Sequence, residues 1–158
     1  MTNTNKAVDQ ATLLHQEQQR LAEQADELVQ RSQQNTEPHG QTTKRFLLLS
    51  TPRTGSTFLS RNLNSTGRLG WTHEWLNWGL MQHICQRLGK KQLSLPDYLS
   101  FLDNAAKTPN GIYGINLHIH QSQFLLSQHF DALAHIHFEK VYWLTREDRI
   151  AQVYSWAK

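Results

Sequence analysis

One cysteine in 158 residues, Cys85, excludes an intramolecular disulfide and makes a reducing compartment the default. No apolar run approaches membrane-spanning length, and residues 1–40 lack the apolar core of a signal peptide. A soluble, cytoplasmic chain is the expectation. Lys and Arg form no dense stripe of the kind that grips nucleic acid. The nine histidines come without a cysteine cluster, an H-E-x-x-H or acids at ligand spacing. The pairs His118/His120 and His135/His137 are therefore read as core or surface residues, and no metal is expected.

What is present is unevenly distributed. A hydrophobic fraction of 38% and a mean hydropathy of −0.62 look thin for a compact fold. Residues 1–40 hold three Lys/Arg against six Asp/Glu, whereas the rest holds thirteen against seven. The acidic, polar part is thus confined to an N-terminal extension and linker, residues 1–43, ahead of one basic domain, residues 44–158. A basic body suits an anionic ligand and steers it mildly. Within the extension, Ala11 to Ser32 place Leu14, Leu21, Ala25 and Leu28 at helical spacing among Gln and Glu. Three readings stay open: a helix lying on the body, a helix pairing with a second copy, and a polar tail. Gln33 to Thr43, with Pro38 and Gly40, is the expected linker.

The most informative stretch runs from Arg45 to Leu59. Phe46–Leu49 form a short apolar run suited to a strand covered on both faces. Pro52 and Gly55 end it in a tight turn, and Ser56 and Thr57 open a helix. A helix N-terminus behind an arginine-bearing turn offers unpaired N–H groups, a dipole end and a fixed positive charge to phosphate or sulfate. The G-x-x-x-x-G-K-[ST] loop of nucleoside triphosphatases is absent, because this turn has no lysine, and so is G-x-G-x-x-G. An ordinary strand–turn–helix corner with a surface arginine would read the same way.

Ser50-Thr51-Pro52-Arg53-Thr54-Gly55-Ser56-Thr57-Phe58-Leu59 resembles the 5′-phosphosulfate loop of sulfotransferases that use 3′-phosphoadenylyl sulfate, in particular the trehalose-sulfotransferase-like branch. The resemblance extends to Val141–Trp156, where Val141–Leu144 read as another buried strand ahead of Arg146 and a helix follows from Ile150. In that family an Arg past the strand and a Ser in the helix hold the 3′-phosphate; here these are Arg146 and Ser155. Nine helical steps would put two side chains on opposite faces. Arg146 must therefore lie in the loop, with the helix beginning later, capped by Asp148.

The resemblance further implies that Thr72-His73-Glu74-Trp75-Leu76 carries the catalytic base, Glu74, with His73 and His118 as lesser candidates. Leu76, Leu80, Ile84 and Leu88 recur every fourth residue, predicting a helix from about His73 to Leu88 with Glu74 in its first turn. Acidic residues favour that place for the helix dipole alone. A further helix is expected over Leu95–Leu102, and strands over Arg45–Ser50, Ile112–Ile119 and Glu139–Thr145. Gly114-Ile115-Asn116-Leu117 resembles the family's strand G-x-K-L, with Asn116 in place of lysine.

The fold so implied is α/β, a parallel sheet flanked by helices in the layout of P-loop kinases, incomplete at its C-terminal end. The site so implied comprises Arg53, Thr54, Gly55, Ser56, Thr57, Arg146 and Ser155 for the nucleotide, with Glu74 and Arg53 catalytic. The acceptor would be a carbohydrate or glycolipid-type hydroxyl. A nucleotide-binding or interaction module without turnover, assembling through the N-terminal helix, is the alternative. A nucleoside kinase is disfavoured by the missing loop lysine.

Overall fold

The computed structural model describes residues 3–35, 43–128 and 130–157. In chain order the elements are α1 (Asn3–Gln34), β1 (Lys44–Ser50), α2 (Ser56–Ser65), α3 (Trp78–Arg87), α4 (Leu95–Ala105), β2 (Ile112–His118), α5 (Ile119–Ser127), α6 (Ala132–His135), β3 (Lys140–Leu144) and α7 (Arg149–Ala157). The three strands form one parallel sheet in the order β2-β1-β3. Central β1 is the apolar run Phe46–Leu49, as a strand paired on both edges requires.

Alternation along the strands divides the sheet into two faces. Leu47, Tyr113, Ile115 and Leu117 enter the main core with Trp75, Leu76, Leu80, Ile84, Tyr98 and Leu102 from the α3–α4 region. The opposite face carries Phe46 and Leu48 beside α2, and a trough of about 640 Å³ there is lined by Leu59, Leu63, Tyr142 and Leu144. Gly114 is needed where β2 passes β1, because a Cβ there would lie 2.4 Å from the Phe46 ring and 2.5 Å from Thr72 Oγ1.

The amphipathic stripe of α1 lies on the body. Leu21, Ala25 and Leu28 are buried in the main core, and Arg31 Nε donates to the Ala105 carbonyl. Arg87 of α3 ion-pairs with Asp26 on the flank of the same helix. Leu14, the first member of the stripe, is exposed. Most of the anticipated linker, residues 36–42, falls outside the described residues, while Gln33 and Gln34 close α1. Leu28 is fully buried, so Leu28→Ala should destabilise the whole chain by about 2–5 kcal/mol in urea unfolding. A transition unchanged from wild type would mean that α1 contributes nothing to the fold.

Three expectations need correction. The helix expected from His73 begins at Trp78, because His73 is in an isolated parallel bridge with Ile115, its carbonyl accepting from Asn116 N–H (2.8 Å). Asn77 then caps α3 by accepting from Leu80 N–H. The strand expected to reach Ile119 ends at His118, where the Gln121 side chain accepts the His118 N–H (3.1 Å) and α5 begins. Finally, β3 is not buried: Val141, Tyr142 and Trp143 are more than half exposed, since β3 has only β1 beside it.

Candidate functional site

The register brings the chemistry together. Ser50 stands opposite His118 on one side and Leu144 on the other, so all three strands end at one level. The turn Thr51–Gly55, the His118 side chain and the segment Thr145–Asp148 leave from that edge, where open α/β sheets place their ligands.

The turn is conformationally specialised. Gly55, the N-cap of α2, has φ 89°, and Arg53 has φ 64°, a left-handed conformation unusual for a side chain with a Cβ. Thr54 Oγ1 donates to the Thr51 carbonyl (2.9 Å), closing the turn on itself. No side chain caps α2, so its first N–H groups have no intrahelical partner and carry the positive end of the dipole.

From the other side, Asp148 Oδ1 accepts from Ala151 N–H (2.8 Å), so α7 starts after Arg146 and leaves that residue in the loop. Arg53 Nε donates to the Ser155 carbonyl (2.9 Å), and Arg146 Nη1 donates to the Arg53 carbonyl (3.4 Å). Both guanidinium groups therefore stand at one place. A cavity of about 470 Å³ is lined by Arg53, Gly55, Ser56, Thr57, Arg146 and Ser155, together with Glu74 and His118. Of the anticipated site residues only Thr54 is missing from its wall; its hydroxyl serves the turn instead.

Glu74 reaches this cavity from extended chain. The same bridge that delays α3 lays His73 along β2 and sets Glu74 beside the strand's end. Gln121 Nε2 donates to Glu74 Oε2 (2.7 Å), and His118 Nε2 lies 3.4 Å from Glu74 Oε1. His118 Nδ1 is in turn 2.9 Å from Ser50 Oγ, whose hydroxyl donates to Asn116 Oδ1 (3.3 Å). Burial opposes the Glu74 charge, but the hydrogen bonds and charge of His118, the Gln121 bond and the charge of His73 outweigh it. The carboxyl is pulled down to about 2. Burial pushes His73 down as well, below the ordinary imidazole value, despite the nearby Glu74 charge. Its Nδ1 accepts from Glu74 N–H (2.8 Å). Asn116, at the position of the family lysine, is buried and held within this network rather than reaching out of it.

Sequence reasoning missed two brackets. Gln152 Nε2 donates to Thr51 Oγ1 (2.9 Å) and to the Pro52 carbonyl (2.7 Å), tying α7 to the turn. Gln152 and Ser155 are three apart and share a helix face, which was a legible signal. Gln121 joins β2 to Glu74, and nothing in its local sequence marks it. Among the described residues no three His, Cys, Asp or Glu side chains gather to hold a metal, and no helix is long and apolar enough to cross a membrane.

The carboxyl edge of a parallel α/β sheet thus carries an uncapped, arginine-bearing turn, a second arginine and a partly buried carboxylate around one cavity. Residues 45–158 match the Stf0 sulphotransferase family, and the chain belongs to that family. Among curated proteins, and among solved structures, none matches the chain. All of α1 precedes the matched span, as do the residues up to Lys44.

Proposed function

We propose that the protein moves a sulfuryl group from 3′-phosphoadenylyl sulfate to a hydroxyl of a carbohydrate or glycolipid-type acceptor. One observation carries the reading: Arg53 and Arg146, distant in sequence, wall a single cavity that also exposes Glu74. The residues suit a doubly anionic nucleotide. Arg53 and the leading N–H groups of α2 would hold its 5′ end, and Arg146 with Ser155 its 3′-phosphate. Bound there, the donor supplies a sulfuryl group whose bond to the bridging phosphate oxygen breaks as the bond to the acceptor oxygen forms.

Arg53 and the helix N-terminus meet the charge that builds on the departing phosphate, without reorganising to do so. Glu74, ionised at neutral pH, accepts the acceptor's proton at a carboxylate oxygen. A carboxyl near 2 is a weak base, and general-base catalysis works best when the pKa approaches the working pH. Exclusion of water by bound reactants raises a carboxyl, so the base strengthens as the site fills. Gln121 and His118 keep Glu74 pointed into the cavity meanwhile.

Calorimetry with adenosine 3′,5′-bisphosphate tests the nucleotide assignment. Wild type should bind, and Arg146→Ala should weaken binding roughly 10- to 100-fold, the worth of a charge-assisted phosphate contact. Equal affinity in wild type and variant sinks the assignment. Binding without turnover in a transfer assay would favour the module that lacks catalysis.

A further inference from the structure

A second cavity, of about 290 Å³, opens beside the first, and Glu74 and Thr57 line both. One of its walls is α1. Arg20, Gln24 and Glu27 lie on one face of that helix, at the i, i+4, i+7 spacing, and all three line the cavity. Facing them are Ser60 and Arg61 of α2, and Thr72 and His73 of the bridge segment. Because α1 precedes the family match, this wall lies outside the matched span.

The cavity is short of hydrogen-bond partners. Among the described residues, four buried side-chain polar atoms lack one: Gln24 Oε1, Ser60 Oγ, Thr72 Oγ1 and His83 Nδ1. The first three belong to residues lining this cavity. Ser60 is 5% exposed and Thr72 0%. Buried polar groups are normally satisfied, and unpaired ones mark places where a ligand or water completes the set. The charges are balanced: Arg20 and Arg61 stand against Glu27 and Glu74, and Arg20 already pairs with Glu17. Such a wall has no sign with which to select an ion. It has hydroxyl, amide and carboxylate groups that donate to and accept from a polyol, with Trp71 and His73 also in its wall.

We infer that α1 forms the specificity wall of the acceptor site, where Gln24 and Glu27 select a neutral, polyhydroxylated acceptor, a sugar unit, and set one hydroxyl against Glu74. This rests on the proposed transfer reaction for the identity of Glu74 as base. The bond from the acceptor oxygen to sulfur forms on the side of Glu74 facing the nucleotide cavity as the bond from sulfur to the bridging phosphate oxygen breaks; the hydroxyl proton passes to Glu74 and adenosine 3′,5′-bisphosphate departs.

Saturation-transfer NMR on the full chain tests it, using glucose, galactose, mannose, N-acetylglucosamine, maltose and trehalose in the presence of adenosine 3′,5′-bisphosphate. At least one saccharide should bind saturably to wild type. Gln24→Leu and Glu27→Gln should each weaken that binding at least about 10-fold while leaving nucleotide affinity unchanged. Arg87→Ala, which loosens the far flank of α1 without touching the cavity, should change neither. Glu27 is exposed, so Glu27→Gln keeps the question answerable should Gln24→Leu fail to fold. Nucleotide binding with no saccharide binding, or saccharide binding indifferent to both α1 substitutions, overturns the inference. Loss of nucleotide binding in wild type is a separate result, and it sinks the reaction itself.

Discussion

Arg53→Gly should leave the chain folded and close to wild-type stability while removing nucleotide binding and transfer. The two effects separate because Arg53 does two opposed things. Its φ of 64° is a strained backbone conformation, costing about 1–2 kcal/mol for an L side chain and little for glycine. Glycine offsets that relief by loosening the unfolded chain and by losing the bond from Arg53 Nε to the Ser155 carbonyl. That bond is exposed and worth about 1 kcal/mol. The net change in urea unfolding should therefore fall within about 1 kcal/mol of zero. Function has no such compensation: in the proposed reaction the guanidinium is the fixed charge at the phosphosulfate end. Affinity for adenosine 3′,5′-bisphosphate should fall roughly 10- to 100-fold, and single-turnover transfer roughly 100- to 1000-fold. Arg53→Ala keeps the strain and loses the charge, so it should match the glycine variant in function and fall below it in stability. A glycine variant that binds and turns over normally would remove Arg53 from the site.

The contrast between Arg53 and Glu74 shows which parts of the site local sequence carried. The turn was legible because its signals are contiguous: an apolar run, Pro52, Gly55, then hydroxyl residues. Arg146 was placed in a loop by helix geometry once the family resemblance had paired it with Ser155, and the Asp148 cap agrees with that placement. Three parallel strands and α2, α4 and α7 were likewise written in short-range pattern. Glu74 was not. The recurrence of Leu76, Leu80, Ile84 and Leu88 at every fourth residue suggested a helix reaching back to His73, but a backbone bridge from His73 to β2 takes precedence. That bridge is a long-range contact no local window contains. The end of β2 shows the same limit, since Ile119 and His120 continue the alternation and only the reach of Gln121 back to His118 N–H stops the strand. In α1, the stripe told which face is apolar but not what it would meet. The polar residues beside it, Gln24 and Glu27, come to line the second cavity only once the helix is laid on the body.

Glu74→Gln should cost transfer roughly 100- to 10,000-fold, the usual worth of a positioned base, and should also flatten the acid limb of stability. The second effect follows from the first observation about this carboxyl. Its ordinary value is 4.5, and the folded protein holds it at about 2. A group depressed by folding contributes stability that is complete above its unfolded value and lost as pH falls through the folded one. The wild-type contribution should therefore be intact at pH 7, begin to fade near 4.5 and be nearly gone around 2. Its full size is about 3 kcal/mol. The side chain is 19% exposed, so solvent screening trims this only modestly. Glutamine keeps the shape but carries no charge, and it cannot accept at both oxygen positions from Gln121 and His118. Unfolding free energies of the two proteins should thus differ most at neutral pH and converge towards pH 2. Nucleotide affinity should persist in the variant, because Arg53 and Arg146, the proposed phosphate grips, are untouched. Parallel stability curves across that range would mean that His118 and Gln121 do not hold the carboxylate. Undiminished transfer with convergent curves would leave Glu74 a structural anion and move the base elsewhere.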